Sequence, residues 1–321
     1  MRQYKCIALI LCFLLTVSLL VPTTLVAEEI DLDQSTSLTM VFAPDGVSPQ
    51  GIEFKVYRVA ERNSSGGFSP LEPFKSWPVQ ITDTDVKDWP ALASTLEVYV
   101  TMNGTVPTQT AVTDHQGKAV FSDLQSGFYL VVGDPVEGDG EMYVPQPVML
   151  SLPILQDGKY LYDVIANAKY DVIPISSGDE TSELQVIKIW EISEGKKHPA
   201  EVKVQLLRNG QVWDTVTLNK DNNWRYIWTD LQEGSLWKVV EVDVPKGYTV
   251  SIARNGDIFS VINTDESDDN PDDSNKPEDD EEEKLPQTGM LWWPVPFLAV
   301  SGMGCFLAGW VRDRKDKDHE A

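Results

Sequence analysis

LQVIKIWEISEGKKHPAEVKVQLLRNGQVWDTVTLNKDNNWRYIWTDLQEGSLWKVVEVDVPKGYTVSIARNGDIFSVIN, residues 184–263, is built of short runs in which apolar and polar residues alternate. The alternation is plainest in VKVQLL (202–207), VWDTVTL (212–218) and WRYIW (224–228), and RNGQ (208–211), KDNN (220–223) and QEGS (232–235) separate the runs. A period of two residues turns one side of each run toward a core, and turns at this spacing fit a small β-sandwich. Five tryptophans fall here, Trp190, Trp213, Trp224, Trp228 and Trp237. Bulky rings at strand positions read as core or cross-strand packing; a sugar-binding aromatic platform is the alternative.

Over nearly all of its length the segment resembles the Cna protein B-type domain. KIW (188–190), HPAEVKVQLLRNG (198–210), NNWRYIWTDL (222–231), WKVVEVDVPKGY (237–248) and FSVIN (259–263) stand in that family's order. The resemblance implies a spontaneous isopeptide bond between a Lys on the first strand and an Asn on the last, assisted by an acidic residue. The matching positions are Lys188, Asn263 and Glu241. Trp237 stands where the family usually has Tyr, and Val242 where it often has Thr; neither change removes a reacting atom. Each of the three residues is flanked by apolar neighbours on a predicted strand, so all three can be buried together. Burial lowers a Lys pKa and raises a Glu pKa, which favours a neutral amine beside a neutral acid. The alternative is a Lys188–Glu241 ion pair, with Asn263 an ordinary strand-end residue.

Upstream, residues 36–172 form a longer and looser module. GIEFKVYRVAE (51–61), GKAVFSDLQSGFYLVV (117–132), YVPQPVMLSLP (143–153) and YLYDVIANAKYDV (160–172) read as strands, with turns at GVSPQG (46–51), DHQGK (114–118) and LQDGK (155–159). ALASTLEVYVTM (91–102) reads as a short helix inserted into the sandwich. The module is similar to the N-terminal domain of Gram-positive pilins, in which a Lys near the last strand accepts the next subunit's acyl group. Aligned on Asp163 and Val164, that Lys is Lys169, with Asn167 and Ala168 in place of the family's Tyr and Pro; an ordinary exposed Lys is the other reading. SLTMVF (37–42) has no Lys, and Gly133 stands where an acidic motif would place Glu, so one internal isopeptide bond is expected, in the second module.

Both ends of the chain read as addresses. Residues 1–27 carry Arg2 and Lys5, then an apolar run and small residues, the layout of a signal peptide cleaved after Ala27; an uncleaved anchor is the alternative. Residues 264–284 are mostly Asp and Glu and read as an extended, self-repelling spacer, with calcium binding the sharper alternative that loop-site spacing does not favour. Leu285, Pro286, Gln287, Thr288 and Gly289 follow, then an apolar stretch at 290–310 that as a helix would rise about 31 Å, enough to cross a bilayer. A basic tail, 311–321, is expected to stay cytoplasmic. This order resembles the cell-wall sorting signal of Gram-positive surface proteins, which implies that a sortase cleaves after Thr288.

The full chain of 321 residues has a formal net charge of −24, with 50 Asp and Glu against 26 Lys and Arg. Such acidity argues against nucleic acid as a partner. No histidine has cysteines or carboxylates at ligand spacing and no phosphate-binding Gly loop follows a strand, so neither enzyme activity, metal nor cofactor is expected. Cys6, Cys12 and Cys305 all lie in segments that the expected processing would remove. The expected fold is all-β: two tandem immunoglobulin-like (Cna B-type) β-sandwich modules, preceded by a signal peptide and a lead at 28–35, joined by a linker at 173–183, and followed by a transmembrane helix. The expected function is a sortase-processed, cell-wall-anchored structural surface protein, either a pilus (fimbrial) subunit or a monomeric adhesin that binds through its first module. Its partners would be a sortase, a peptidoglycan precursor or neighbouring pilin subunits, and, on the adhesin reading, a host or cell-surface ligand.

Overall fold

A computed structural model describes residues 29–266, apart from Ser65, Asp83 and 176–180. The signal peptide, most of the acidic spacer, the Leu285–Gly289 motif, the apolar stretch at 290–310 and the tail lie outside the described residues. Among the described residues no helix is long and apolar enough to cross a membrane.

The first set of elements is β1 (Thr36–Val41), β2 (Glu53–Arg62), β3 (Phe68–Pro70), α1 (Trp89–Met102), β4 (Gln109–Val112), β5 (Lys118–Leu124), β6 (Gly127–Gly133), β7 (Val136–Gly138), β8 (Glu141–Pro145), β9 (Val148–Leu152), β10 (Ile154–Gln156), β11 (Lys159–Leu161), β12 (Asp163–Asn167) and β13 (Tyr170–Pro174). The second set is β14 (Thr181–Glu191), β15 (Glu201–Arg208), β16 (Gln211–Asn219), β17 (Arg225–Gln232), β18 (Trp237–Val242), β19 (Tyr248–Asn255) and β20 (Ile258–Asp265). No strand of one set pairs with a strand of the other among the described residues.

In the first set a small sheet, β12-β1-β5, faces a larger one, β3-β2-β6-β9 with β4 joined to β2. Leu38, Met40, Phe54, Val56, Phe121, Tyr129, Val131 and Leu152 fill the space between them. The larger sheet is buried on its other face as well, where Tyr57, Val59, Phe128, Leu130 and Met149 meet α1 and the Phe74–Ile81 segment. Burial on both faces explains why Gly127–Gly133 reads as an unbroken apolar run and not as an alternating one.

Helix α1 has Pro90 in its first turn, where the missing N–H costs nothing, and ends at Asn103 and Gly104, the latter at φ +59°. Its buried residues are spread around the axis. Leu92, Ala93, Leu96 and Val100 join the core beneath the larger sheet, while Val98 packs with Leu207 and Val240 of the second set. A helix that is apolar on more than one face must be covered on more than one face; here one cover is the second sandwich.

That sandwich has a four-stranded sheet, β17-β14-β20-β19, and a three-stranded sheet, β16-β15-β18. Leu184, Val186, Val204, Leu206, Trp228, Val239, Ile252 and Val261 fill its interior. Of the five tryptophans, Trp228 and Trp237 are core residues at 5% and 6% exposure, and Trp190 and Trp224 are partly buried against the core. Trp213 is not core: it is 56% exposed. The ladder pairs Leu206 with Asp214 and Leu207 with Val212, leaving Trp213 as the extra residue of a bulge. The inward residues of β16 are Val216 and Leu218, so the period of two already sets Trp213 on the opposite face.

Candidate functional site

The first and last strands of the second sandwich, β14 and β20, lie parallel, with Lys188 opposite Val261 and Trp190 opposite Asn263. Along β14 the inward residues are Leu184, Val186 and Lys188, and along β20 they are Phe259, Val261 and Asn263. Two polar residues thus occupy positions that the alternation assigns to the core, one step apart on adjacent strands. From the facing sheet, β18 turns Trp237, Val239 and Glu241 inward, with Glu241 opposite Val204 on β15. The structure therefore brings Lys188, Glu241 and Asn263 together inside one core.

The side chains of Lys188 and Glu241 are wholly shielded from solvent, and Asn263 is 0% exposed. Asn263 Nδ2 donates to Glu241 Oε1 at 2.8 Å. Lys188 Nζ lies 3.8 Å from Glu241 Oε2, an ion-pair distance but too long for a hydrogen bond. The amine instead donates to Ile189 O at 2.8 Å and to Val261 O at 3.2 Å. A neutral amine has two N–H bonds, so these two carbonyls use both and leave the lone pair uncommitted. Among the described residues, Glu241 Oε2 and Asn263 Oδ1 have no hydrogen-bond partner. Buried polar atoms without partners cost about 1–3 kcal/mol each, so the separate side chains sit in an unfavourable state.

Burial pulls the Lys188 amine down to about 8, although the charge of Glu241 pulls the other way. Burial likewise pushes the Glu241 carboxyl up, against the opposing pull of Lys188 and the hydrogen bond from Asn263. At pH 7 an amine of pKa about 8 is neutral roughly one time in ten, against roughly one in three thousand for an ordinary lysine. This arrangement holds an amine, a carboxyl and an amide together out of water.

An aromatic group borders the amine. Trp190 has its ring centroid 4.1 Å from Lys188 Nζ; His198 stacks on Trp190 at 4.9 Å, and Trp224 and Tyr248 meet it edge-on, each at 5.4 Å. The sequence reads Trp190 and Trp224 as packing, with a sugar-binding platform as the alternative, and gives His198 no part in either. Their convergence depends on β14, the 192–200 loop and the turn before β17 meeting at one end of the sandwich, which no local pattern announces.

Lys169 is exposed and sits in the short step between β12 and β13, where its carbonyl accepts a hydrogen bond from the Gln146 N–H at 2.8 Å. It is in the other sandwich and takes no part in the buried trio. Leu285, Pro286, Gln287, Thr288 and Gly289 lie outside the described residues, as does Ala27. Among the described residues no group of three His, Cys, Asp or Glu could hold a metal ion.

Residues 184–264 match the family model of the Cna protein B-type domain. The chain is 34% identical over 87 residues to a collagen adhesin from Staphylococcus aureus, a match covering 25% of this chain and 7% of that protein. Among solved structures it is similar to a single B repeat unit (B1) of the collagen-binding surface protein of Staphylococcus aureus, with 19% identity and a TM-score of 0.25, covering 72% of this chain and 97% of that one. It is also similar to the full-length major pilin SpaD from Corynebacterium diphtheriae, with 17% identity and a TM-score of 0.28, covering 74% of this chain and 65% of that one. A parallel pair of first and last strands and a family match over the same stretch lead to one conclusion: residues 184–264 are a Cna protein B-type domain.

Proposed function

We propose that the chain is a wall-anchored structural surface protein, a pilus subunit, whose second module is locked by a bond between Lys188 and Asn263. The observation that carries the reading is the shared burial of Lys188, Glu241 and Asn263, with Nδ2 of the amide on a carboxylate oxygen and the amine lone pair free. In the reaction, Lys188 Nζ attacks Cγ of Asn263. Glu241 takes up a proton from the attacking nitrogen and delivers one to Nδ2, the Cγ–Nδ2 bond breaks, and ammonia leaves. Atoms balance without an external reagent. A half-turn of the carboxamide would put Oδ1 on Glu241 Oε1, where a protonated carboxyl can polarise the carbonyl for attack.

The test is a tryptic digest of the full chain read by mass spectrometry. The expected product is a linked pair of peptides carrying Lys188 and Asn263, about 17 Da lighter than the two together, since ammonia is lost. Separate peptides at full mass would refute the bond.

Anchoring rests on the LPQTG stretch, Leu285–Gly289, ahead of an apolar run and a basic tail. A sortase would cleave after Thr288 and pass the acyl group to a peptidoglycan precursor or to a neighbouring subunit. Lys169 is the proposed acceptor for polymerisation, supported by its exposure at a strand end. Detergent-boiled wall extracts should give a covalent ladder that disappears in Lys169→Ala. A monomeric adhesin is the second reading, favoured by Asn167 and Ala168 in front of Lys169 where pilins carry Tyr and Pro; a single anchored band in place of a ladder would establish it.

A further inference from the structure

The strands that bound the buried trio are held by the first sandwich. Strand β19 is the free edge of the four-stranded sheet and β18 a free edge of the three-stranded one, so each lacks a strand partner on one side. Unpartnered edges fray and open locally more readily than central strands. In this protein the outward amides of β19 are met by groups of the other sandwich. The Val250 N–H donates to Pro78 O at 2.7 Å, and the Ile252 N–H donates to Thr95 Oγ1 on α1 at 2.8 Å. Thr95 is 0% exposed, and its own hydroxyl proton goes to Ala91 O at 2.7 Å, which fixes the oxygen with a lone pair toward β19.

The two pinned residues are the immediate neighbours of the site. Val250 lies opposite Asn263, and Ile252 lies opposite Val261, whose carbonyl accepts from the Lys188 amine. The same helix also grips β18: Glu97 pairs with Lys238, and Val98 packs with Val240, the residue before Glu241. The Tyr99 phenol, on the next helical position, is pushed up to about 12 by burial and by the charge of Glu241, as expected if helix and carboxylate lie close.

We propose that α1 and the Trp77–Pro78 turn form a clamp that holds β18 and β19 against each other, so that Glu241 and Asn263 stay aligned on Lys188 until the bond forms, with Thr95 as the positioning residue. This rests on reading the trio as a crosslinking set. Thr95 touches no reacting atom; it acts through the backbone of Ile252. The first sandwich would then set how fast the second one locks.

The experiment follows the linked peptide pair over time after synthesis of the full chain, in wild type and variants. Thr95→Val keeps the shape of the side chain and removes the acceptor. Losing a buried hydrogen bond of about 1–1.5 kcal/mol slows linkage about ten-fold if the bond is needed for alignment. Thr95→Ser restores the acceptor and the wild-type rate, a rescue that a purely packing role would not give. Val98→Ala, which loosens the helix from Val240 without touching that hydrogen bond, also slows linkage, by a few-fold, and covers the case in which Thr95→Val misfolds. Linkage at the wild-type rate in both Thr95→Val and Val98→Ala overturns the clamp while leaving the crosslink intact. A wild-type chain that never yields the linked pair overturns the crosslink itself, and the clamp with it.

Discussion

The two sandwiches close in the same way and fill what they close differently. In each, the first strand lies parallel to a strand from the end of the module: β1 against β12, the last but one, and β14 against β20, the last. In the second, the inward positions of that pair carry Lys188 and Asn263, with Glu241 facing them. In the first they carry Leu38 and Met40 on β1 with Val164 on β12, all within an apolar core. No carboxylate can be fitted there cheaply either. A Cβ on Gly133 would lie 2.5 Å from Cε1 of Phe54, a ring that is 1% exposed. Topology supplies the neighbours; the chemistry depends on which inward positions are polar. An apolar core is stable as it folds, whereas a buried amine, acid and amide are stable only once they have paired or reacted.

The strongest way to break the contrast is to give the second sandwich the chemistry of the first. Lys188→Met puts at this inward position a thioether like that of Met40 in the first core, and leaves Glu241 to be buried as the neutral acid, toward which burial already pushes it. The linked peptide pair should vanish. Removing a crosslink that spans about 75 residues should cost the module about 4–5 kcal/mol in the chain-entropy account. Chemical denaturation of the full chain measures this: an unchanged midpoint for the second module would mean that no crosslink had been there to lose.

The trio was legible in the sequence through the family resemblance, and the apolar neighbours of each residue added that all three could be buried together. Lys188, Glu241 and Asn263 do sit at core positions of their strands. The helix at 91–102 was legible too, and the structure adds Trp89 and Pro90 at its start. Its docking on the second sandwich was not, because the bond from Ile252 to Thr95 joins residues 157 apart and no local period encodes it. The apolar residues around the whole circumference of WPALASTLEVYVTM were the available hint that the helix has two covers. Trp213 differs: counted back from the inward Leu218 and Val216, alternation already sets it on the outer face of its strand, and only the size of its ring argued for the core.

The converse exchange, putting an acid into the first sandwich, should fail. Gly133→Glu must displace Phe54 and bury a carboxyl without a lysine on β1 to meet it. Overpacking and an unpaired polar group together should lower the stability of this module by about 3 kcal/mol and create no crosslink. Gly133→Ala separates the two causes, since it keeps the steric clash and omits the charge. If Gly133→Glu were as stable as wild type, the packing account of the first core would be wrong.

The subtlest contrast lies between two lysines. Lys55 in the first sandwich is partly exposed and lies 2.7 Å from Asp134 and 3.1 Å from Glu53. Burial pulls its pKa down, but the hydrogen bonds to those two carboxylates outweigh that, and the net shift is upward. It therefore stays charged and unreactive across the physiological range. Lys188 is drawn down to about 8, with a single carboxyl whose own pKa is raised. The sign of the pH effect on linkage follows from both shifts. At low pH the Glu241 carboxyl is fully protonated, and each further unit of acidification removes about ten-fold of the neutral amine, equivalent to about 1.4 kcal/mol on the barrier. Above about pH 8 the amine is already neutral, and raising the pH further can only take the proton from Glu241. The linkage rate, measured on chain refolded at a series of pH values, should thus rise from acid, pass through a maximum and fall again on the alkaline side. A rate that keeps climbing to pH 10, as for a lysine with an ordinary pKa, would show that burial does not depress this amine, and the two lysines would no longer differ in kind.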